Sequence, residues 1–435
     1  MIKQMNKVAE SPKEKQLNIN KFVLVLLAGV ILAVFINNSL SLYLGPVLAV
    51  LFVYLFFSGY SELVTAVIIV ANDALGTILM GSVSFPYLLF LLVICKLLSA
   101  RSFEKRILLF GAISMLFAGQ LFLVGFIDAR ALIYAMIYVV SIASINPGID
   151  SVATKKFFAG VAFAVVLVAV HATVTGGVEF YELYEGSEQI MRKGVLGVGI
   201  GNSNYSGFLL NIGLVCLWYF TVDSALFKVL ASIPILYSIV LTQSTSALLC
   251  FILILLLSVL MTKNINKAFL SVIVFLLVVF CLYVVYTNLP SDVHWASLDA
   301  YIMRIEEKLF ALGEEDYSTV TTFRSELGAE YLNYIFNEQG LLRLFFGGNP
   351  LVIDSVSDMS PHNTYITTML QFGLLGIVIL VVSALRRLHL VFVDKEHPYR
   401  KPFLILKSMC LFMAFCISLY GDNRWLVWML SLFLL

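Results

Sequence analysis

Residues 362–384, HNTYITTMLQFGLLGIVILVVSA, decide the fold class of the chain. The stretch holds no Asp, Glu, Lys or Arg, and as a helix it is long enough to cross a hydrocarbon core of about 30 Å. It opens with His362, Asn363 and Tyr365, so an ionisable imidazole stands where the membrane meets water. The stretch therefore predicts a membrane span that begins at a site.

The same apolar pattern recurs along the chain. Of its 435 residues, 60% are hydrophobic and 13% are charged, whereas soluble domains carry roughly 25% charged residues. This composition excludes a soluble globule and predicts an all-α integral membrane protein, a polytopic bundle of about 12 to 14 transmembrane helices. The candidate spans are 22–37, 42–58, 61–80, 83–99, 107–126, 131–147, 157–175, 206–222, 226–242, 245–261, 268–287, 362–384, 403–420 and 425–435.

The basic residues orient these spans, because Lys and Arg favour the cytoplasmic side of short loops. With residues 1–21 placed in the cytoplasm, 20 of the 28 Lys and Arg residues fall on the cytoplasmic side. The chain then divides into a cytoplasmic N-terminal segment, eleven spans within 22–287, one large extracytoplasmic loop at 288–361 and the C-terminal spans of 362–435.

The large loop is acidic. Residues 288–361 carry twelve acidic and four basic residues, a net charge of −8. This balance argues against a generic anion-binding surface, so a phosphate site there must be built from a few placed arginines. We expect no nucleic-acid partner. Residues 325–336, SELGAEYLNYIF, have apolar side chains at helical spacing, which predicts a short helix packed on the bundle.

Three motifs follow one another in and after this loop. Arg324 precedes the predicted loop helix, residues 345–350 read FFGGNP, and residues 362–365 read HNTY. This order resembles the O-antigen ligase and polymerase superfamily, whose helical membrane fold is of the GT-C type. The resemblance implies that Arg324 and His362 are catalytic and face each other over a lipid-linked pyrophosphate.

The chemistry of these side chains suits those implied roles. A guanidinium binds phosphate oxygens in a bidentate way, and an imidazole with an unperturbed pKa near 6.5 can accept a hydroxyl proton at neutral pH. Asn363 and Tyr365 could orient His362 or hydrogen-bond a sugar. Polar and aromatic residues at this place are also typical of a helix cap or an interfacial belt.

A fourth motif, TQSTS at residues 242–246, lies between two apolar runs at the predicted external face. The superfamily usually has Thr-Gln-Ser-Arg-Gly here, and its arginine contacts the donor pyrophosphate, whereas this chain has Thr245. The resemblance implies that Gln243 and Thr245 contact the substrate and that another cation replaces the arginine. The candidate replacements are Arg304, Arg343, Arg192 and Arg424, among which we prefer Arg304 because it lies on the large loop.

A weaker match is GVGIGNSNYSGFLL at residues 197–210, which resembles a glycine-containing stretch of the family that ends in Asn before a span. Asn204 could touch sugar hydroxyls there. A flexible turn followed by a polar helix start is the alternative interpretation.

Together these resemblances imply a membrane glycosyltransferase of the O-antigen polymerase type in the bacterial cytoplasmic membrane. It would polymerise undecaprenyl-pyrophosphate-linked oligosaccharide repeat units into O-antigen, capsule or exopolysaccharide on the outer face. The growing glycan is the expected acceptor, a chain-length regulator and a flippase are candidate partners, and nothing in the sequence requires a metal or cofactor. The alternatives are ligase-type transfer of the glycan to a lipid or protein acceptor, and a lipid-linked oligosaccharide flippase or other transporter.

Overall fold

A computed structural model shows that the chain folds into packed α-helices, with one short antiparallel hairpin among the residues it describes. The prediction of a helical fold is confirmed, whereas hydropathy did not predict the hairpin. The described residues are 12–37, 40–71, 84–100, 129–145, 152–175, 178–182, 192–196, 203–221, 224–261, 283–288, 296–316, 324–347, 363–393 and 399–416, together with the single helical residues 266, 270, 273, 277 and 280.

The helices are numbered here in chain order. The N-terminal ones are α1 (Pro12–Ile36), α2 (Ser41–Leu55), α3 (Ser61–Val70), α4 (Phe85–Ala100), α5 (Ala129–Ile145) and α6 (Val152–Thr175). After strands β1 (Val178–Glu182) and β2 (Arg192–Leu196) come α7 (Ser203–Phe220), α8 (Ala225–Leu241), α9 (Thr245–Leu260), α10 (Ala296–Gly313), α11 (Arg324–Asn333), α12 (Leu341–Phe346), α13 (Thr364–Val393) and α14 (Arg400–Cys416).

Two stretches of helix are long and apolar enough to cross a membrane by length and composition, Ser41–Val70 and Val152–Val174. Six shorter apolar helices of 10–17 residues accompany them in the described part of the chain. Predicted spans agree closely with several helices, for example 83–99 with α4 and 245–261 with α9. The candidate spans 107–126 and 425–435 lie outside the described residues, as does most of 268–287.

The stretch Ser41–Val70 is broken in its middle. A π-helical turn, Phe56–Tyr60, joins α2 to α3, and Gly59 within it has a φ of 88°. A left-handed backbone is adopted readily by glycine and at a cost by other residues. The break lies where the predicted spans 42–58 and 61–80 meet.

Helices α6 and α7 form the centre of the helical core. Helix α6 packs on α1, α3, α7 and α8, and α7 also packs on α9 and α14. Small residues allow these close contacts, since a Cβ on Gly160 of α6 would lie 2.8 Å from the Cα of Leu63 on α3. Glycine at helix crossings is typical of packed apolar helices.

The helices of segment 288–361 pack on this core and on α13. Helix α11 continues into a π-helical turn, Tyr334–Glu338, and Tyr331 and Ile335 are buried against Ile366 and Leu370 of α13. The predicted loop helix at 325–336 and its packing on the bundle are therefore confirmed. Helix α10 packs on α8.

Candidate functional site

The turn between α8 and α9 is built from residues 242–244 of the TQSTS motif. Gln243 is 2% exposed and has a φ of 51°, in the left-handed region that non-glycine residues seldom adopt. The Ser244 hydroxyl caps α9 by accepting from the amide of Ala247 at 3.2 Å. This hydroxyl also donates to Oδ1 of Asn204 at 2.6 Å. The turn is thus held in one strained conformation by buried hydrogen bonds.

Arg304 of α10 reaches this turn from the large loop. Its side chain is 9% exposed, and Nη1 donates to the carbonyl oxygen of Gln243 at 3.3 Å. A guanidinium does not lose its charge in a protein. The structure therefore places a buried positive charge beside the TQSTS motif.

Thr245 is the first residue of α9, and its hydroxyl oxygen is buried with no hydrogen-bond partner among the described residues. The first amide groups of a helix carry partial positive charge and attract anions. Thr245 therefore lies where the helix terminus and the Arg304 cation act on the same small region. A phosphate oxygen is the kind of acceptor that suits both.

Asn204 joins this region because α7 and α9 cross closely. A Cβ on Gly207 would overlap the Cβ of Ala247, and Nδ2 of Asn211 donates to the carbonyl of Ala247 at 3.0 Å. The close crossing places Asn204, at the start of α7, beside Ser244 at the start of α9. The structure thus brings together four of the residues selected from the sequence: Asn204, Gln243, Thr245 and Arg304.

The beginning of α13 forms a second group. Asn363 caps the helix, because its Oδ1 accepts from the amides of Tyr365 at 2.9 Å and Ile366 at 3.2 Å. The hydroxyl of Tyr365 donates to the carbonyl of Leu411 on α14 at 3.0 Å, and its ring centroid lies 4.4 Å from that of Phe415. Both side chains therefore have structural contacts, while the amide NH2 of Asn363 takes no part in the cap.

Helix α13 is broken at Gly373, where φ is 62° and ψ is −163°. The backbone of Phe345 and Phe346, at the end of α12, crosses this break so closely that a Cβ on Gly373 would overlap it. Gly347 is also left-handed, with a φ of 69°, and a Cβ there would overlap the backbone of Gln371 and Phe372. We call this contact the glycine crossing, and it packs residues 345–347 of the FFGG motif against α13.

A polar stripe on α13 was not selected from the sequence. Thr364, Thr367, Thr368 and Gln371 are all buried, at the i, i+3, i+4, i+7 spacing of one helix face. Thr367 and Thr368 donate to carbonyls one turn back in the helix, as hydroxyl residues in apolar helices often do. Oε1 of Gln371 is buried without a hydrogen-bond partner in the described part of the chain. The spacing of Thr and Gln in the sequence TYITTMLQ, residues 364–371, is the signal that could have predicted this polar face.

The remaining predicted residues are placed as follows. His362 lies outside the described residues, as does Arg424. Arg324 is the first residue of α11, but its side chain is not described. Arg343 of α12 is exposed, and its carbonyl accepts from the amide of Gly347 at 2.7 Å. Arg192 is paired in register with Glu182 in the hairpin.

Comparisons with protein-family models, with curated proteins and with solved structures find no match to this chain.

Proposed function

We propose that the chain is a polytopic membrane glycosyltransferase that polymerises oligosaccharide repeat units carried on undecaprenyl pyrophosphate. It works without a metal, on the outer face of the bacterial cytoplasmic membrane. The proposal rests on the order of the TQSTS, Arg324, FFGG and HNTY motifs and on the apolar composition of the chain.

The contact between Arg304 and Gln243 carries the proposal. The motif TQSTS lacks the arginine of the family it resembles, so the chemistry requires a cation from elsewhere. Arg304 comes from a helix 61 residues away in sequence and donates directly to this motif. A buried guanidinium is oriented in advance and can stabilise charge that develops on a leaving pyrophosphate.

In the proposed reaction, a sugar hydroxyl of the acceptor attacks the anomeric carbon of the donor sugar. The new bond forms between that carbon and the hydroxyl oxygen as the bond from the carbon to the pyrophosphate oxygen breaks. His362 takes the hydroxyl proton, and undecaprenyl pyrophosphate leaves with the bonding electron pair. Arg324 and Arg304 hold the leaving group, and attack opposite the leaving group inverts the anomeric centre.

Other polar groups would bind the sugars. The amide NH2 of Asn363 and the side chain of Asn204 are suited to hydrogen-bonding hydroxyl groups. Gln371 presents a buried amide oxygen close to the glycine crossing, so a sugar hydroxyl that reaches this depth could donate to it. Transfer to a lipid or protein acceptor by the same groups is the ligase form of this proposal.

Transport of the lipid-linked oligosaccharide is a second candidate function, favoured by the break in α13. Transporters place discontinuous helices at their substrate sites, where broken backbone binds the cargo. The left-handed Gly373 interrupts α13 in this way. A transporter needs no proton acceptor at His362, and it does not lengthen the glycan.

The test is to supply purified lipid-linked repeat units to the full chain in membranes and to separate the products by size. A polymerase makes a ladder of glycans, whereas a ligase or a transporter leaves the repeat units unpolymerised. We expect His362→Ala and Arg324→Ala each to abolish the ladder at matched expression, while Arg130→Gln, an exposed arginine on α5, keeps it. A full ladder from both alanine variants would contradict the assigned roles and favour another site.

A further inference from the structure

A groove with an apolar lining opens between α1, α3, α6, α7 and α8. Its volume is about 530 Å³, within the range of about 300–1,000 Å³ that is typical of small-ligand sites. Leu24, Leu63, Phe163, Val166, Leu217 and Phe227 line it. The apolar chemistry of this lining suits a hydrocarbon chain better than a sugar.

Charged groups on the groove wall are basic. Lys155 and Lys156, in the first turns of α6, belong to the lining. Lys156 is held in place, since its Nζ donates to the carbonyl of Gly59 at 2.6 Å and lies 5.4 Å from the centroid of the Tyr60 ring. Lys155 is exposed. The groove therefore combines an apolar lining with the ammonium groups of Lys155 and Lys156, which are neighbours in α6.

The surroundings keep this place positive. Lys96 of α4 donates to the hydroxyl of Ser61 at 2.7 Å and interacts electrostatically with Lys156 and with the carboxylate of Glu62. Three lysines against one glutamate leave an excess of two positive charges. An anion of two or fewer charges is the ligand that this balance complements.

We propose that the groove binds an anionic phospholipid of the cytoplasmic leaflet, with one acyl chain along the apolar lining and the phosphate at Lys155 and Lys156. The inference rests on the proposed membrane location, in which this end of α6 faces the cytoplasm. Basic pockets between membrane helices on that side bind anionic headgroups. A neutral phospholipid fits the apolar part and gains nothing from the lysines.

The full chain in detergent can be titrated with phosphatidylglycerol or with phosphatidylcholine of the same acyl chains, and the bound lipids counted by native mass spectrometry. We expect wild type to retain phosphatidylglycerol in preference. Lys155→Gln should weaken its retention about fivefold, which corresponds to about 1 kcal/mol for one lysine near an anionic surface. Ala159→Phe should fill the groove and remove retention of both lipids, because Ala159 is part of the lining.

Arg130→Gln is the matched control, because it removes one exposed positive charge that is not part of the groove lining, and we expect it to retain lipid like wild type. Equal retention of the two lipids by wild type, or unchanged retention by Lys155→Gln, would overturn the proposal. The lipid count does not use the glycan ladder. A chain that makes a ladder but shows no lipid preference contradicts the groove alone, and one that shows the preference without a ladder contradicts the polymerase alone.

Discussion

Two of the places where the large loop segment touches the rest of the molecule differ in their chemistry. Near its beginning, Arg304 donates a charged hydrogen bond to the buried turn at Gln243. Near its end, the glycine crossing of Gly347 and Gly373 brings backbone against backbone. The first region depends on one charge in one orientation, whereas the second depends only on shape.

This difference separates a chemical role from a structural one. Burying a guanidinium carries a desolvation cost that offsets much of what its contacts contribute to stability, so we expect removal of Arg304 to affect reaction rate more than folding. Two glycines whose Cβ atoms would overlap backbone cannot change without moving the chain, so their replacement should affect folding first. Measuring rate and stability on the same variants therefore tests the comparison directly.

Among variants in these two regions, the largest effect is expected for Arg304→Ala. Loss of one preorganised donor at a developing negative charge lowers rates by about 100- to 1,000-fold, and we expect kcat for ladder formation to fall by this amount. Arg304→Lys should recover only part of the rate, because a lysine cannot form the planar two-pronged contact of a guanidinium. The measurement is initial-rate kinetics on lipid-linked repeat units.

Lys308→Gln provides the control for that measurement, because it removes one positive charge from the same helix α10. We expect its rate to stay within about threefold of wild type, as is usual for a single charge near the protein surface. If Arg304→Ala and Lys308→Gln lower the rate equally, the effect is one of net charge. The contact with Gln243 would then carry no special role.

The second-largest effect is expected for replacement of a glycine at the glycine crossing, which should lower stability. Gly347→Ala and Gly373→Ala each combine a left-handed backbone with an overlapping Cβ, and we expect each to lower the free energy of unfolding by about 2–4 kcal/mol. Thermal unfolding in detergent measures this loss. Helix α12 and the FFGG motif should detach from α13 first, because the overlap lies between them.

Gly340→Ala separates the cost of the left-handed backbone from the cost of the overlapping Cβ. Gly340 has a φ of 77° but open space around it, so its replacement costs only the backbone conformation, about 1–3 kcal/mol. Gly29→Ala, in a helix with open space, should be neutral or slightly stabilising. A loss at Gly347 no larger than that at Gly340 would show that the two backbones are not in close contact.

Hydropathy located helices because burial of apolar residues at a regular period is written in the local sequence. It placed α4 and α9 within a few residues and found the loop helix α11 with its buried Tyr331 and Ile335. It could not choose among four arginines, because the contact of Arg304 with Gln243 joins residues distant in sequence. The break at Gly373 could not be predicted either, since a glycine in an apolar run is also typical of close packing in an unbroken span.

A smaller effect is expected at Ser244, which holds the turn from within. Ser244→Ala removes the cap of α9 and also the donor to Asn204, so we expect a loss of about 1–2 kcal/mol in the free energy of unfolding. Ser224 caps α8 in the same way, accepting from the amide of Phe227 at 3.3 Å, and is exposed. Ser224→Ala should cost about 0.5–1 kcal/mol. Equal losses at the two serines would mean that the hydrogen bond to Asn204 contributes nothing to stability.

The smallest effect is expected for Tyr365→Phe, on the side of the glycine crossing. The ring stays packed near Phe415, and only the hydrogen bond to the Leu411 carbonyl is lost, so stability should fall by about 1 kcal/mol. Since the hydroxyl already has a partner on α14, we expect kcat and KM to stay within about twofold of wild type. The sequence-based prediction that Tyr365 binds a sugar requires a raised KM instead. Unchanged stability with a raised KM would show that Tyr365 has a chemical role and not a structural one. The beginning of α13 would then bind substrate directly.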